Sequence, residues 1–263
     1  MQCDRDLAKA GRQHLEMEQS FAGFVPRCTG RSTAGVAQNA VSDADDVDAE
    51  LDRTGRTVGV AGGDERAEQL ALIAAEVEAC CRCGLGASRT HAVPGEGSPN
   101  ARIMFIGEAP GADEDAQGRP FVGRAGQLLD KIIGACRLKR SDVFIANILK
   151  CRPPDNRDPR PEEIVNCLPV LQRQIEVIRP EVIVALGAHA ARTLLNTNLP
   201  IGRLRGRFQD YINGLGQPPI KLIATYHPAY LLRNYTHETR AQVWDDMKKV
   251  LAELGLPVPD STR

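Results

Sequence analysis

The sequence predicts an α/β fold: a central parallel four-stranded sheet with helices on both faces, preceded by an N-terminal extension expected to be disordered. Three observations predict it. Short apolar runs recur at Ile103–Ile106, Val143–Ala146, 181–186 and 221–225, each the length of a buried strand. Segments of helical periodicity alternate with them, which favours parallel strands covered on both sides. Residues 1–64 hold no sustained period and include the acidic run SDADDVDAELD, a composition that does not bury a core.

Taken in order, the domain over 65–263 opens with a helix whose Leu70, Ile73 and Val77 share one face. A polar loop leads to the first strand. Leu128, Leu129, Ile132 and Ile133 mark the next helix, and the second strand follows at Val143. Pro161-Glu162-Glu163 starts a helix with proline at the first position and acids at the positive end of the dipole. Pro169 should bend it, because its ring nitrogen cannot donate to Val165. Strand three, EVIVAL, passes through Gly187 into a short helix ending near Leu195. Strand four, KLIAT, precedes a last helix that turns Val243, Met247, Val250 and Leu254 to one side.

Ligands of such sheets bind at the carboxyl ends of the strands. Three polar loops leave those ends, at 107–126, 147–158 and 226–234, and they are expected to converge. No run approaches the ~18 apolar residues of a membrane span. The N-terminus lacks a basic stretch followed by an apolar core, so no secretory signal is read and a cytoplasmic location is expected. Residues 1–64 carry 7 basic and 11 acidic side chains, the remainder 26 and 23. Any claim of nucleic-acid binding therefore rests on local clusters.

The loop GEAPGADEDAQGRPFVGRAG (107–126) poses a chemical question. Its five glycines suit a phosphate cradle, yet its four acids repel phosphate. Eight cysteines are present in a chain too large for a disulfide-stapled scaffold. Cys80 and Cys83 form a CxxC pair, and Cys151 and Cys167 stand with fifteen residues between them. Four thiolates from these two places suit a tetrahedral zinc or an iron–sulfur cluster, and spacing does not choose. Lys150 and Arg152 beside Cys151 would offset thiolate charge or face phosphate. Cys136 reads as core and Cys81 as a bystander to the pair.

GEAPGADEDAQGRPFVGRAG, NILKCRPPDNR, CLPVLQRQI with RPEVIVALGAHAARTLL, and HPAYLLRN together resemble the iron–sulfur-containing uracil-DNA glycosylases of family 4, over about residues 68–253. The four cysteines match that family's ligands to a [4Fe–4S] cluster, and the resemblance thereby favours iron–sulfur over zinc. A sister group that links covalently to abasic DNA carries an inserted histidine after the position of Asn147. Here no insertion or histidine occurs, and the first motif is the family 4 form.

The resemblance implies hydrolysis of the deoxyuridine N-glycosidic bond in DNA by a monomer, with uracil-containing DNA as partner. The alternative is a non-catalytic module of the same fold that binds uracil or abasic DNA. A flipped base needs a flat apolar surface, and Phe121 is assigned that role. Asn147 offers a donor and an acceptor that match uracil N3–H and O4, which cytosine reverses. His227 is set to donate to O2 as negative charge develops. Glu108 handles water and the oxocarbenium, with Ala109 beside the base and Glu114 near C5, where it excludes a methyl. Arg203, Arg205 and Arg207 in GRLRGRF, with Arg233, would hold phosphates. Leu231 would fill the gap left by the flipped base. His189, in an Ala-rich helix, reads as structural.

Overall fold

The computed structural model describes residues 61–214 and 218–259. The expected disorder of residues 1–64 concerns residues outside the described ones, apart from the last four, which open the first helix. That helix, α1 (Ala61–Glu78), is followed by α2 (Leu85–Ser88) and the short strand β1 (Glu96–Gly97). Next come β2 (Ile103–Gly107), α3 (Ala112–Gln117), α4 (Arg124–Ala135) and β3 (Phe144–Asn147). The second half holds α5 (Pro161–Ile178), β4 (Val182–Leu186), α6 (Ala188–Leu195), α7 (Ile201–Leu204), β5 (Phe208–Tyr211) and β6 (Ile220–Thr225). It closes with α8 (Pro228–Arg233) and α9 (His237–Glu253).

The sheet has six strands in the order β1-β3-β2-β4-β6-β5, not the expected four. The four central strands are parallel as expected; β1 and β5 add antiparallel edges. Both edges lack an apolar run, because an edge strand faces solvent along one side. Side chains alternate across the sheet with period two. Met104, Ile106, Ile183 and Ala185 face α5 and α6 in one core, while Ile103, Phe105, Val182 and Val184 face α4 and α9 in the other. Ile73 and Val77 of α1 pack on Val170 of α5. Pro169 lies inside α5 without ending it.

Chain order reverses between β2 and β4: β3 lies to one side of β2, and β4 with β6 to the other. The crevice at their carboxyl ends is the switch point where such sheets bind ligands.

Candidate active site

A cavity of about 710 Å³ opens at that switch point. All three polar loops line it, through Glu108, Ala109, Glu114 and Phe121, then Asn147, then His227 and Arg233. A fourth segment, Leu186–His189, lines it too.

Gly107 and Asn147 are register partners at the ends of β2 and β3. Beyond them the pairing continues, with Ile148 N–H donating to Gly107 O at 2.9 Å and Leu149 N–H to Glu108 O at 3.0 Å. Glu108 and Asn147 therefore leave a rigid ladder rather than a loose loop. Gly107 has no side chain for a steric reason. A Cβ there would stand 2.4 Å from Asn147 Oδ1 and 2.6 Å from Phe121 Cζ. Asn147 is 2 % exposed, and its Oδ1 is buried with no hydrogen-bond partner. An orphaned buried acceptor is costly, and in a cavity wall it points to a missing donor.

Phe121 is 5 % exposed and adopts φ 53°, a left-handed backbone that a phenylalanine rarely takes. Its neighbours hold it there. Glu114 Oε1 accepts from the N–H groups of Val122 and Gly123, both at 2.9 Å, and Oε2 accepts from Gly111 N–H at 3.1 Å. Arg140 donates to Phe121 O at 3.1 Å and also to Pro120 O.

The His227 ring lies 5.7 Å from the Phe121 ring, centroid to centroid, at 36°. It caps α8, with Ala229 N–H donating to its Nδ1 at 3.1 Å. Burial, with a smaller push from Arg233, lowers its pKa to about 4 against the pull of Glu114. The imidazole is thus neutral at pH 7 with Nδ1 accepting, which leaves the proton on Nε2 as a donor. Gly187, at φ 91°, makes room for it, since a Cβ there would meet His227 Cβ at 2.9 Å.

Burial raises the pKa of Glu108; His189 opposes the rise and Asp158 adds to it. His189 Nε2 lies 3.9 Å from Glu108 Oε2 and 3.7 Å from Asp158 Oδ2. The structural reading of His189 is thereby corrected: it stands on the cavity wall. Its signal in the sequence was position, directly after the carboxyl end of the third apolar strand.

Two DNA-contact assignments are also corrected. Arg205 is 15 % exposed in its side chain and donates to both carboxylate oxygens of Asp246, at 3.0 and 2.9 Å, and to Gln242 O at 2.6 Å. Its guanidinium lies over Tyr226, 5.2 Å from the ring centroid. This arginine holds α9 to the sheet through Nη2, and its Nε is buried without a partner, turned away from solvent and phosphate. Leu231 is 2 % exposed and packs inward, so it is not presented as a wedge; Tyr230 and Arg233 are the exposed groups of α8. Arg203 and Arg207 are exposed.

The four cysteines come together from the turn after α1, the turn before α2, the loop after β3 and the middle of α5. Arg89 donates to Cys151 Sγ at 2.9 Å and Lys150 N–H to Cys167 Sγ at 3.2 Å. Main-chain N–H groups of Leu85 and Gly86 face Cys83. Burial pushes the Cys167 thiol up to about 11, with Lys150 pulling it back. Arg89 was not foreseen from the sequence. Lys150 is wholly buried, which removes the phosphate-facing alternative. Cys136 is core, as expected.

A crevice with a ring, an orphaned amide and a neutral imidazole fits a known class of protein. The family described as the uracil DNA glycosylase superfamily matches residues 94–248, and the chain belongs to it. Within that superfamily it groups with the type-4 uracil-DNA glycosylases. It is 45 % identical to the type-4 uracil-DNA glycosylase of Thermotoga maritima over 70 % of this chain and 94 % of that one. With the Archaeoglobus fulgidus type-4 enzyme the identity is 45 %, over 70 % of this chain and 92 % of that one. With that of Saccharolobus solfataricus it is 48 %, over 72 % and 88 %.

Proposed function

We propose that this protein hydrolyses the N-glycosidic bond of deoxyuridine in DNA, releasing uracil and leaving an abasic site for base excision repair. The observation that carries the reading is the buried, unpartnered Oδ1 of Asn147 beside Phe121 and His227. Uracil supplies the missing donor through N3–H, while cytosine presents a second acceptor there. The wrong base leaves buried polar groups unpaired, and such mismatches discriminate by large factors.

Each group then has one task. Phe121 is the platform on which the flipped base stacks, worth ~1–3 kcal/mol. Ala109 lines the cavity beside the base. Glu114, its carboxylate fixed by three main-chain N–H groups, stands near C5 and leaves no room for thymine's methyl. His227 donates Nε2–H to O2 as the bond to C1′ breaks. A neutral donor stabilises the growing anion without transferring its proton, and losing such a donor costs about 10²–10³ in rate. Glu108, as the carboxylate, favours the oxocarbenium and orients the water that attacks C1′. Arg203, Arg207 and Arg233 are exposed and hold phosphates.

Cys80, Cys83, Cys151 and Cys167 fit a [4Fe–4S] cluster. Four sulfurs, three of them with N–H or guanidinium donors aimed at them, suit a thiolate site. Among the described residues, the only group of three or more ligating side chains with donor atoms all within 4.8 Å of one another is Glu108, Asp158 and His189. The cysteine sulfurs do not form such a group, whereas zinc with ~2.3 Å bonds needs its ligands ~3.8 Å apart. A cluster there supplies a cross-link between the end of α1 and the β3–α5 segment. The protein acts on uracil-containing DNA as a monomer, and among the described residues no helix is long and apolar enough to cross a membrane.

The test is single-turnover release of free uracil from a uracil-containing oligonucleotide, with binding to a non-cleavable analogue measured in parallel. His227→Ala should slow release and leave binding nearly unchanged. Asn147→Asp should relax discrimination toward cytosine. Binding without uracil release by the unaltered chain would turn the reading toward a non-catalytic module. Metal analysis giving zinc and no iron would refute the cluster.

A further inference from the structure

Lys150 is 1 % exposed, one of the largest side chains sealed in the core. A buried ammonium is costly unless its surroundings compensate it. Its Nζ donates to the main-chain O of Asn147 at 2.9 Å and to Gln174 Oε1 at 2.7 Å. Gln174 is held in turn, its Nε2 donating to Pro94 O at 2.8 Å. Both acceptors of the ammonium are uncharged. The sulfurs of Cys151 and Cys167 lie beside it, and the second accepts Lys150's own N–H at 3.2 Å. One residue therefore touches the cysteine site with its main chain and the base-reading residue with its side chain.

The Asn147 amide needs such support. Its Oδ1 has no partner in the protein, so no side-chain hydrogen bond aims that oxygen. Its direction follows from the main chain, which is held on one side by the register with Gly107 and on the other by Lys150. We propose that Lys150 is a positioning residue for Asn147, fixing its main-chain carbonyl so that the carboxamide faces the base. The inference rests on Asn147 being the base reader, and it assigns the loop between β3 and α5 a part in recognition beyond holding a metal centre.

The test is a double-mutant cycle on the metal-loaded full chain, with Lys150→Met, Asn147→Ala and the pair. Two quantities are measured: the single-turnover rate of uracil release, and the preference in Kd for DNA carrying 2′-fluoro-deoxyuridine over abasic DNA. Lys150→Met should slow release by about 10–100-fold, the size expected for a reacting group misplaced by ~1 Å. It should shrink the preference for the uracil analogue while leaving the Kd for abasic DNA unchanged. In the Asn147→Ala background Lys150→Met should add nothing to either quantity, because it acts through the missing amide.

Multiplying effects, or an unchanged rate in Lys150→Met, would overturn the proposal. An unchanged rate in Asn147→Ala would instead overturn the reading of Asn147, and the inference with it. Visible absorbance and iron content show whether the fold and metal centre survive. If Lys150→Met fails that check, Lys150→Met with Gln174→Leu removes the side-chain pair together, so that the Gln174 amide is not left buried without its donor. The same cycle is then read on that background, with the same outcomes deciding.

Discussion

Gly107→Ala adds one methyl at the point where three parts of the site meet. Its Cβ would stand 2.4 Å from Asn147 Oδ1, 2.6 Å from Phe121 Cζ and 2.8 Å from Phe121 Cε2. Ordinary contact begins near 3.4 Å, so the amide oxygen and the ring must each retreat by about 1 Å. Both are almost fully buried, and the open side of each is the cavity, so a retreat moves them into the space the base would occupy. Overpacking of this kind costs ~1–3 kcal/mol in stability. A misplacement of ~1 Å costs about 10²-fold in rate. Single-turnover uracil excision should therefore fall about a hundredfold, well out of proportion to a modest loss of melting temperature. Gly134→Ala is the control. It lies in α4 with nothing within 4 Å of its added methyl, so it should leave the rate unchanged and add ~0.5–1 kcal/mol of stability. If folded Gly107→Ala excises uracil within threefold of the unaltered protein, the packing of Asn147 and Phe121 on this glycine does not set the catalytic geometry.

Three further predictions follow from the same coordinates. Arg205→Ala should leave the salt dependence of DNA binding unchanged and lower the melting temperature by on the order of 10 °C, since it strands the buried Asp246; Arg203→Ala with Arg207→Ala should instead flatten the log–log salt slope by about 0.9 per lost phosphate contact. The rate of excision should fall with acid as Glu108 takes up a proton, at a pH above the usual carboxylate value because burial raises its pKa; His227, with a pKa of about 4, stays neutral through that range, so Glu108→Gln should be slow at every pH and lose this limb. A chain beginning at Ala61 should keep its metal centre and activity, as the relatives are matched over 88–94 % of their own length by about 70 % of this chain; loss of folding on truncation would refute this.

What the sequence made legible was what local pattern controls. The four central strands read as apolar runs because both faces are buried over most of their length, β6 only from Leu222 on, and three of the loops at their carboxyl ends carried unusual polar residues. The edges escaped notice for the opposite reason: β1 is two polar or small residues and β5 reads FQDY. Their membership depends on partners elsewhere in the chain. Arg205 escaped for a similar reason. In GRLRGRF it looks like its neighbours, and only Asp246, 41 residues on, distinguishes it. Leu231 follows Tyr230 in a motif, and its inward direction is set by the packing of α8. His189 is an imidazole among alanines until β4 and Gly187 deliver it to the crevice.

The acids of the 107–126 loop, which seemed to forbid a ligand, do not all face one. Glu114 turns its two oxygens onto three main-chain N–H groups. Asp115 is buried and accepts from Thr90 N–H at 3.0 Å. A loop of glycines has many N–H groups and few side chains to satisfy them, and unsatisfied N–H groups invite an anion. Two carboxylates of the same loop accept from four N–H groups, three of the loop's own and one from Thr90 outside it. The result is a glycine-rich turn that does not behave as a phosphate cradle. It also explains how Phe121 keeps its unfavourable φ. A left-handed phenylalanine costs ~1–3 kcal/mol, and Glu114 secures the two residues that follow it while Arg140 secures its carbonyl. Gly126 completes the fit, for a Cβ there would lie 1.8 Å from Phe121 O. The ring is thus set in place before any base arrives. A flipped base then has to meet the cost of leaving the helix, and not also that of ordering its platform, which is the general advantage of a preorganised site.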